Sequence, residues 1–189
     1  MRTRMNREDR RAAILDTAIA VIGERGFHGF SIRDLAMRCA MTDAGLLHHF
    51  GSKTDLLLAV LDHRDAQDEH AIAALFPRDA PARDRGEVLR VFAAVVARNA
   101  ERPELVRLYA MLRVEALAPD HPAHAYFVTR DRLARRRFAE ILGPLSDSPD
   151  RLARQVIAAM DGLELQWLQE DRDFDLMASW NETADRLIA

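Results

Sequence analysis

Lysine is nearly missing from this chain: it occurs once, as Lys53, against 26 arginines. Cysteine also occurs once, as Cys39. A single thiol excludes an intrachain disulfide framework and suits a reducing compartment. No proline precedes Pro77, so the first part of the sequence carries no helix breaker of that kind. No apolar run approaches the roughly 20 residues that a bilayer-spanning helix needs. The charged opening "MRTRMNREDRR" leads into an amphipathic stretch rather than an apolar leader, so the chain is expected to be cytoplasmic. Sustained period-two alternation is absent too, which argues against sheet. No Gly-rich phosphate loop and no nucleophile–base pair stands out, so neither an enzyme nor a cofactor is expected. His121 with His124, and His63 with His70, lack a cysteine or compact carboxylate set at ligand spacing, so no metal centre is expected.

What is present is a sizeable apolar fraction, 49% of 189 residues, with 30% charged residues. That composition is globular and supports a core. The net charge of −3 does not favour nucleic acid. Its distribution does: residues 1–53 hold nine basic and six acidic side chains, a balance of +3, and the remainder holds 18 against 24. A basic head on an acidic body fits a chain that meets phosphate at one end.

Apolar residues recur at helical spacing throughout, and about nine helices are predicted. The first covers about 7–25, with Ile14, Leu15, Ala18 and Ile22 as its inner stripe, and Gly26 and Gly29 break the chain around Phe27. Ser31 opens a short second helix and Thr42 a short third. Phe30 with Leu35, and Met41 with Leu46, stand where hydrophobic staples would. Gly51 stops the third helix, and Ser52 caps a fourth that runs toward Phe76. Further helices are predicted at about 84–101, 104–118, 122–142, 149–170 and 175–188, with Ser148 and Pro149 as cap and first-turn proline.

Two short helices joined by two or three residues, between longer ones, have the spacing of a helix-turn-helix. The stretch "FSIRDLAMRCAMTDAGLLHHFGSKTDLLLAVL" carries more detail. Ser31, Leu35, Ala36, Leu46, His49, Phe50 and Lys53 fall at the offsets of the DNA-binding segment of the tetracycline-repressor (TetR) family, which about residues 7–60 resemble. Three positions depart from that pattern. Ala40 stands where the turn usually has glycine, Asp43 where a basic residue is common, and Leu47 where a tyrosine hydroxyl commonly meets a phosphate.

The resemblance implies an all-α protein with a DNA-binding domain at 1–53 and a helical ligand-binding and dimerisation domain at 54–189. It implies double-stranded operator DNA as partner, with the third helix in the major groove. The residues expected at DNA are Arg4, Ser31, Thr42, Asp43, Ala44, Gly45, Leu47, His48 and Lys53. Thr42 and Ser31 cap helices and can face phosphate. Asp43 can accept from a cytosine amino group, Ala44 and Gly45 allow close approach, Leu47 can touch a thymine methyl, and His48 can reach a base edge or phosphate. Arg2 and Arg4 would form a minor-groove arm or an unordered tail. Lys53, at the first turn of the fourth helix, is expected to meet a backbone phosphate as a compact donor. His49 and Phe50 are expected to face inward.

For the second half, the resemblance implies a small-molecule effector and a homodimer through the last two helices. Candidate effector contacts are Tyr109, Met111, Leu112, Glu115, Tyr126, Phe127, Met160, Asp161 and Trp167. Glu115 and Asp161 sit on otherwise apolar faces, so each is paired with an arginine or points into a cavity toward a cationic or hydrogen-bond-donating ligand. The helix at 149–170 carries one stripe of Leu152, Val156, Met160, Leu163 and Trp167 and another beside it of Ile157, Asp161, Glu164/Leu165 and Leu168, and should bury both. The alternative from another class is a helical ligand-binding or interaction protein that has lost DNA binding, motivated by Asp43 and Leu47.

Overall fold

A computed structural model describes residues 6–75 and 84–188, with side chains from 67 to 75 left aside. Among the described residues there are nine α-helices and no strand: α1 (Arg7–Gly29), α2 (Ile32–Arg38), α3 (Asp43–Phe50), α4 (Lys53–Leu75), α5 (Arg85–Ala100), α6 (Pro103–Glu115), α7 (His124–Leu142), α8 (Pro149–Gln169) and α9 (Leu176–Leu187). A short 3-10 turn, Gly143–Leu145, follows α7. The all-helical expectation and its punctuation hold closely.

The helix starts are set by side-chain oxygens that take first-turn amides. Asn6, Ser31, Thr42, Asp84 and Asp175 cap α1, α2, α3, α5 and α9 in this way. Ser148 is a correction: Pro149 does open α8, but the serine makes no side-chain cap bond.

The chain divides into two compact units, Met1–Asp68 with Arg107–Ala125, and Glu69–Val106 with Tyr126–Ala189. In the first, the predicted stripe Ile14, Leu15, Ala18 and Ile22 is buried, together with Phe27, Phe30, Leu35, Leu46, Phe50, Leu56, Leu57, Leu108 and Leu112. In the second, Val88, Phe92 and Val96 of α5 meet Val156, Met160 and Trp167 of α8 and Leu176, Trp180 and Ala184 of α9. Arg85 ties that unit shut by donating to the Asp185 and Ile188 carbonyls, which the end of α9 leaves without helical partners.

On the first face of α8, Val156, Met160 and Trp167 are buried and Leu152 and Leu163 are half-buried. Its second face is covered only in part within one chain: Ile157, Asp161 and Leu168 are half-buried and Leu165 is exposed.

Candidate nucleic-acid interface

The α2–α3 corner follows from a few local interactions. At the end of α2, Ala40 N–H donates to the Met37 carbonyl and Met41 N–H to the Ala36 carbonyl. This double closure requires a left-handed residue at the turn. Ala40 supplies it at φ 52°, so the replacement of the usual glycine is met by strain rather than by a different turn. Thr42 Oγ1 then accepts from Gly45 N–H at 3.1 Å and starts α3. Gly51, at φ 80°, closes α3 by donating its amide to the Leu47 carbonyl at 2.7 Å.

Burial along α3 sorts its residues by face. Leu46 and Phe50 are buried, one turn apart, and anchor the helix. Phe30 and Leu35 are buried beneath α2 as a staple. Thr42, Asp43, Ala44 and His48 are exposed, and Gly45 and Leu47 are half-buried. Positions 43, 44, 47 and 48 form one outward stripe at helical spacing. His49 is half-buried and Phe50 faces in, as expected.

Ser31 and Thr42 spend their oxygen lone pairs on caps, to Asp34 N–H and Gly45 N–H. Each hydroxyl still carries a proton that an outside acceptor can take, so capping does not exclude a phosphate contact. Both residues are exposed. Arg4, and Arg2 with it, lies outside the described residues.

Arg11 was not anticipated. From α1 its guanidinium lies 4.4 Å from the Phe50 ring centre and donates to the His49 carbonyl at 3.0 Å. It thus satisfies an orphan carbonyl at the negative end of α3 and fixes that end to α1. Burial and the nearby Arg7, His48, Arg11 and Arg10 hold His49 below its ordinary pKa. The C-terminal end of α3 therefore lies in a positive field from the first turns of α1. The sequence signal was the cluster Arg7, Arg10 and Arg11 at helical spacing.

In the chain without DNA, Lys53 turns inward. Its ammonium does not reach outward past α3. It donates to the Phe30 carbonyl at 2.7 Å and lies 4.4 Å and 4.7 Å from the Phe30 and Phe27 ring centres. Burial lowers its pKa, and Glu115 acts in the opposite sense. The physical reason is the break between α1 and α2. It leaves an unpaired carbonyl and two ring faces within reach of a flexible four-carbon stem.

The expected effector residues fall into two groups. In the first unit, the Tyr109 hydroxyl donates to Asp65 at 2.9 Å, and Arg64 stacks 3.9 Å from the ring centre. Leu112 is fully buried, whereas its neighbour on α6, Met111, is 39% exposed. Glu115 takes neither an arginine nor an open cavity: it accepts from Phe27 N–H at 2.7 Å and lies 3.8 Å from His121 Nε2. In the second unit, Phe127, Met160 and Trp167 are buried, Tyr126 packs edge-on to Phe127 at 5.2 Å, and Asp161 is half-buried. Among the described residues no group of three side chains is suited to a metal ion, and no helix is long and apolar enough to cross a membrane.

The comparisons agree with this geometry. Residues 14–60 match the family described as bacterial regulatory proteins, tetR family. Over 161 residues the chain is 28% identical to the HTH-type transcriptional regulator BetI of Agrobacterium fabrum, covering 83% of this chain and 76% of that one. A Mycobacterium tuberculosis HTH-type transcriptional repressor is 46% identical over 57 residues, 30% of either chain. A solved structure of a transcriptional regulator from Saccharomonospora viridis, in complex with choline, superposes with a TM-score of 0.77 over 96% of each chain at 22% identity, a likeness of fold. The helix-turn-helix corner, the outward stripe of α3 and the sequence match fall on the same residues, so the segment 14–60 is similar to the DNA-binding part of the tetR family of bacterial regulatory proteins, and the whole chain shares the fold of such regulators.

Proposed function

We propose that the chain acts as a ligand-responsive repressor that binds a palindromic operator as a homodimer and leaves it when a small molecule binds the C-terminal unit. The observation that carries the DNA half is the outward stripe of α3. Asp43, Ala44 and His48 face solvent with Leu47 half-buried beside them, while Leu46 and Phe50 hold the helix from beneath. A rod presented in this way enters a major groove, and a two-fold dimer reads half-sites about 34–36 Å apart. Thr42, Ser31 and His48 would meet phosphate or base edges, Leu47 a thymine methyl, and Asp43 a cytosine amino group. Ala44 and Gly45 would let the backbone approach.

Dimerisation through α8 and α9 is supported by the half-covered second face of α8, where Leu165 stands exposed beside Ile157 and Leu168. For the effector, Tyr126, Phe127, Met160, Asp161 and Trp167 are the residues to test, with Asp161 as the polar contact for a cationic or donating group. The choline-bound relative of the fold makes a quaternary ammonium compound the first probe. The effector acts only through its difference in affinity between two states of the dimer.

The test is selection of duplexes from a random library, followed by a salt titration. A steep linear fall of log affinity with log salt, on a two-fold symmetric site, is expected. A chain that selects no sequence while still binding small molecules would favour a ligand-binding protein without DNA function.

A further inference from the structure

The C-terminal end of α6 reaches the DNA-reading helices through one carboxylate. α1 is not continuous to its end. Gly26 adopts φ 70°, ψ 177°, which bends the helix and removes the internal acceptor from Phe27 N–H. Glu115 supplies the replacement, with Oε2 2.7 Å from that nitrogen. A methyl group added at Gly26 would collide with the same carboxylate, so the chain is bare where Glu115 enters. Phe27, held in this way, forms with Phe30 the ring pair over which Lys53 lies, and Lys53 grips the carbonyl of Phe30. Phe30 immediately precedes the cap of α2 and is its staple. Glu115 therefore stands two contacts from the helix pair that carries the reading stripe.

A second group contends for that carboxylate. The His121 ring is buried, and its Nδ1 accepts from Ala123 N–H at 3.2 Å. The lone pair is thus on Nδ1 and the neutral ring carries its proton on Nε2. Among the described residues Nε2 has no hydrogen-bond partner, and it lies 3.8 Å from Glu115 Oε2. A second proton on the ring would set Nδ1–H against Ala123 N–H, donor against donor, and would draw Oε2 toward an imidazolium. Either change loosens the grip on Phe27. The charged and titratable groups facing this site are Glu115 of α6, His28 of α1, Lys53 of α4, and Asp120 of the loop after α6.

We propose that Glu115 is a positioning residue for DNA reading, holding the α1 bend that sets α2 and α3, and that protonation of His121 competes for it and weakens operator binding. This rests on the regulator reading above. Burial places the ordinary state of His121 on the neutral side, against the pull of Glu115, so the latched form prevails at neutral pH.

The test uses the full chain and a labelled duplex that the wild-type chain selects from a random 20-bp library, at a temperature where circular dichroism shows every variant folded. E115A is expected to weaken binding about tenfold, within the range of ordinary coupling factors. E115Q keeps an acceptor for Phe27 N–H and should recover most of that loss. Lowering the pH from 7.5 to 5.5 should cost the wild type at least about threefold relative to H121F, which cannot take up the proton. E115Q, which leaves no carboxylate for the imidazolium to draw, should show a smaller relative dependence than the wild type. A folded E115A with unchanged affinity, or one altered only in melting temperature, would overturn the positioning role. Parallel pH profiles for wild type and H121F would overturn the proton competition. If the wild type selects no duplex at all, the regulator reading fails first and carries this proposal with it.

Discussion

Replacing Lys53 with methionine separates two roles for the only lysine in the chain. The substitution keeps an apolar stem against Phe27 and Phe30 but removes the charge and the donor to the Phe30 carbonyl. Leaving that carbonyl unpaired costs about 1–3 kcal/mol, and losing the ring contacts adds about 0.5–1 kcal/mol. Against this stands the burial of the ammonium, which is large enough to lower its pKa and which methionine avoids. The net expected destabilisation is therefore small, about 1 kcal/mol, read as a shift in the urea midpoint without a change in slope. On DNA, K53M should lower affinity through a looser α1–α2 corner while leaving the salt dependence intact. A backbone-phosphate contact would behave differently. Its loss would reduce the log–log salt slope by about 0.9 and leave stability unchanged. That second pattern would refute the clamp assigned to Lys53.

Three further outcomes follow from the same geometry. A40G should stabilise the chain by up to about 1 kcal/mol in urea titration, since glycine adopts the left-handed turn without a Cβ penalty. G26A should destabilise it by more than about 2 kcal/mol, because the backbone there is left-handed and the new methyl meets the Glu115 carboxylate. His121, with its pKa lowered on folding, contributes stability that is full above its ordinary value of about 6.5 and is lost as pH falls below it toward the folded value. The urea midpoint of the wild type should therefore decline more steeply than that of H121F between pH 7 and 5.

Much of the fold was legible because its signals are local. Caps at Ser31 and Thr42, the burial of Phe30, Leu35 and Leu46, and the stripe Ile14–Leu15–Ala18–Ile22 each follow from signals within one or two turns, and each stands as read. The inward facing of Leu46 and Phe50 followed from spacing alone. What could not be read was the partner of a long or charged side chain. Lys53, Arg11 and Glu115 reach across 23, 38 and 88 residues of sequence to the groups they bind. Nothing in the spacing around Lys53 reveals that the chain breaks at Gly26 and exposes a carbonyl for it. Glu115 was legible as a carboxylate on an apolar face that needed a partner, but the partner was a backbone amide freed by that break rather than an arginine. The bend itself was half legible: Gly26 marked a break, yet helical turns resume beyond it to Gly29.

The outward stripe of α3 is assigned to the groove of the operator duplex. Ala44 is exposed in the middle of that stripe and serves no packing role, so A44E should leave the urea midpoint within about 0.5 kcal/mol of wild type. The measurement is equilibrium binding of wild type and A44E to the wild-type-selected duplex at 150 mM salt. Tight, salt-sensitive binding by the wild type is expected, with a loss of at least about a hundredfold in the folded variant from an added carboxylate among phosphates. Equal affinity of the two proteins would contradict it.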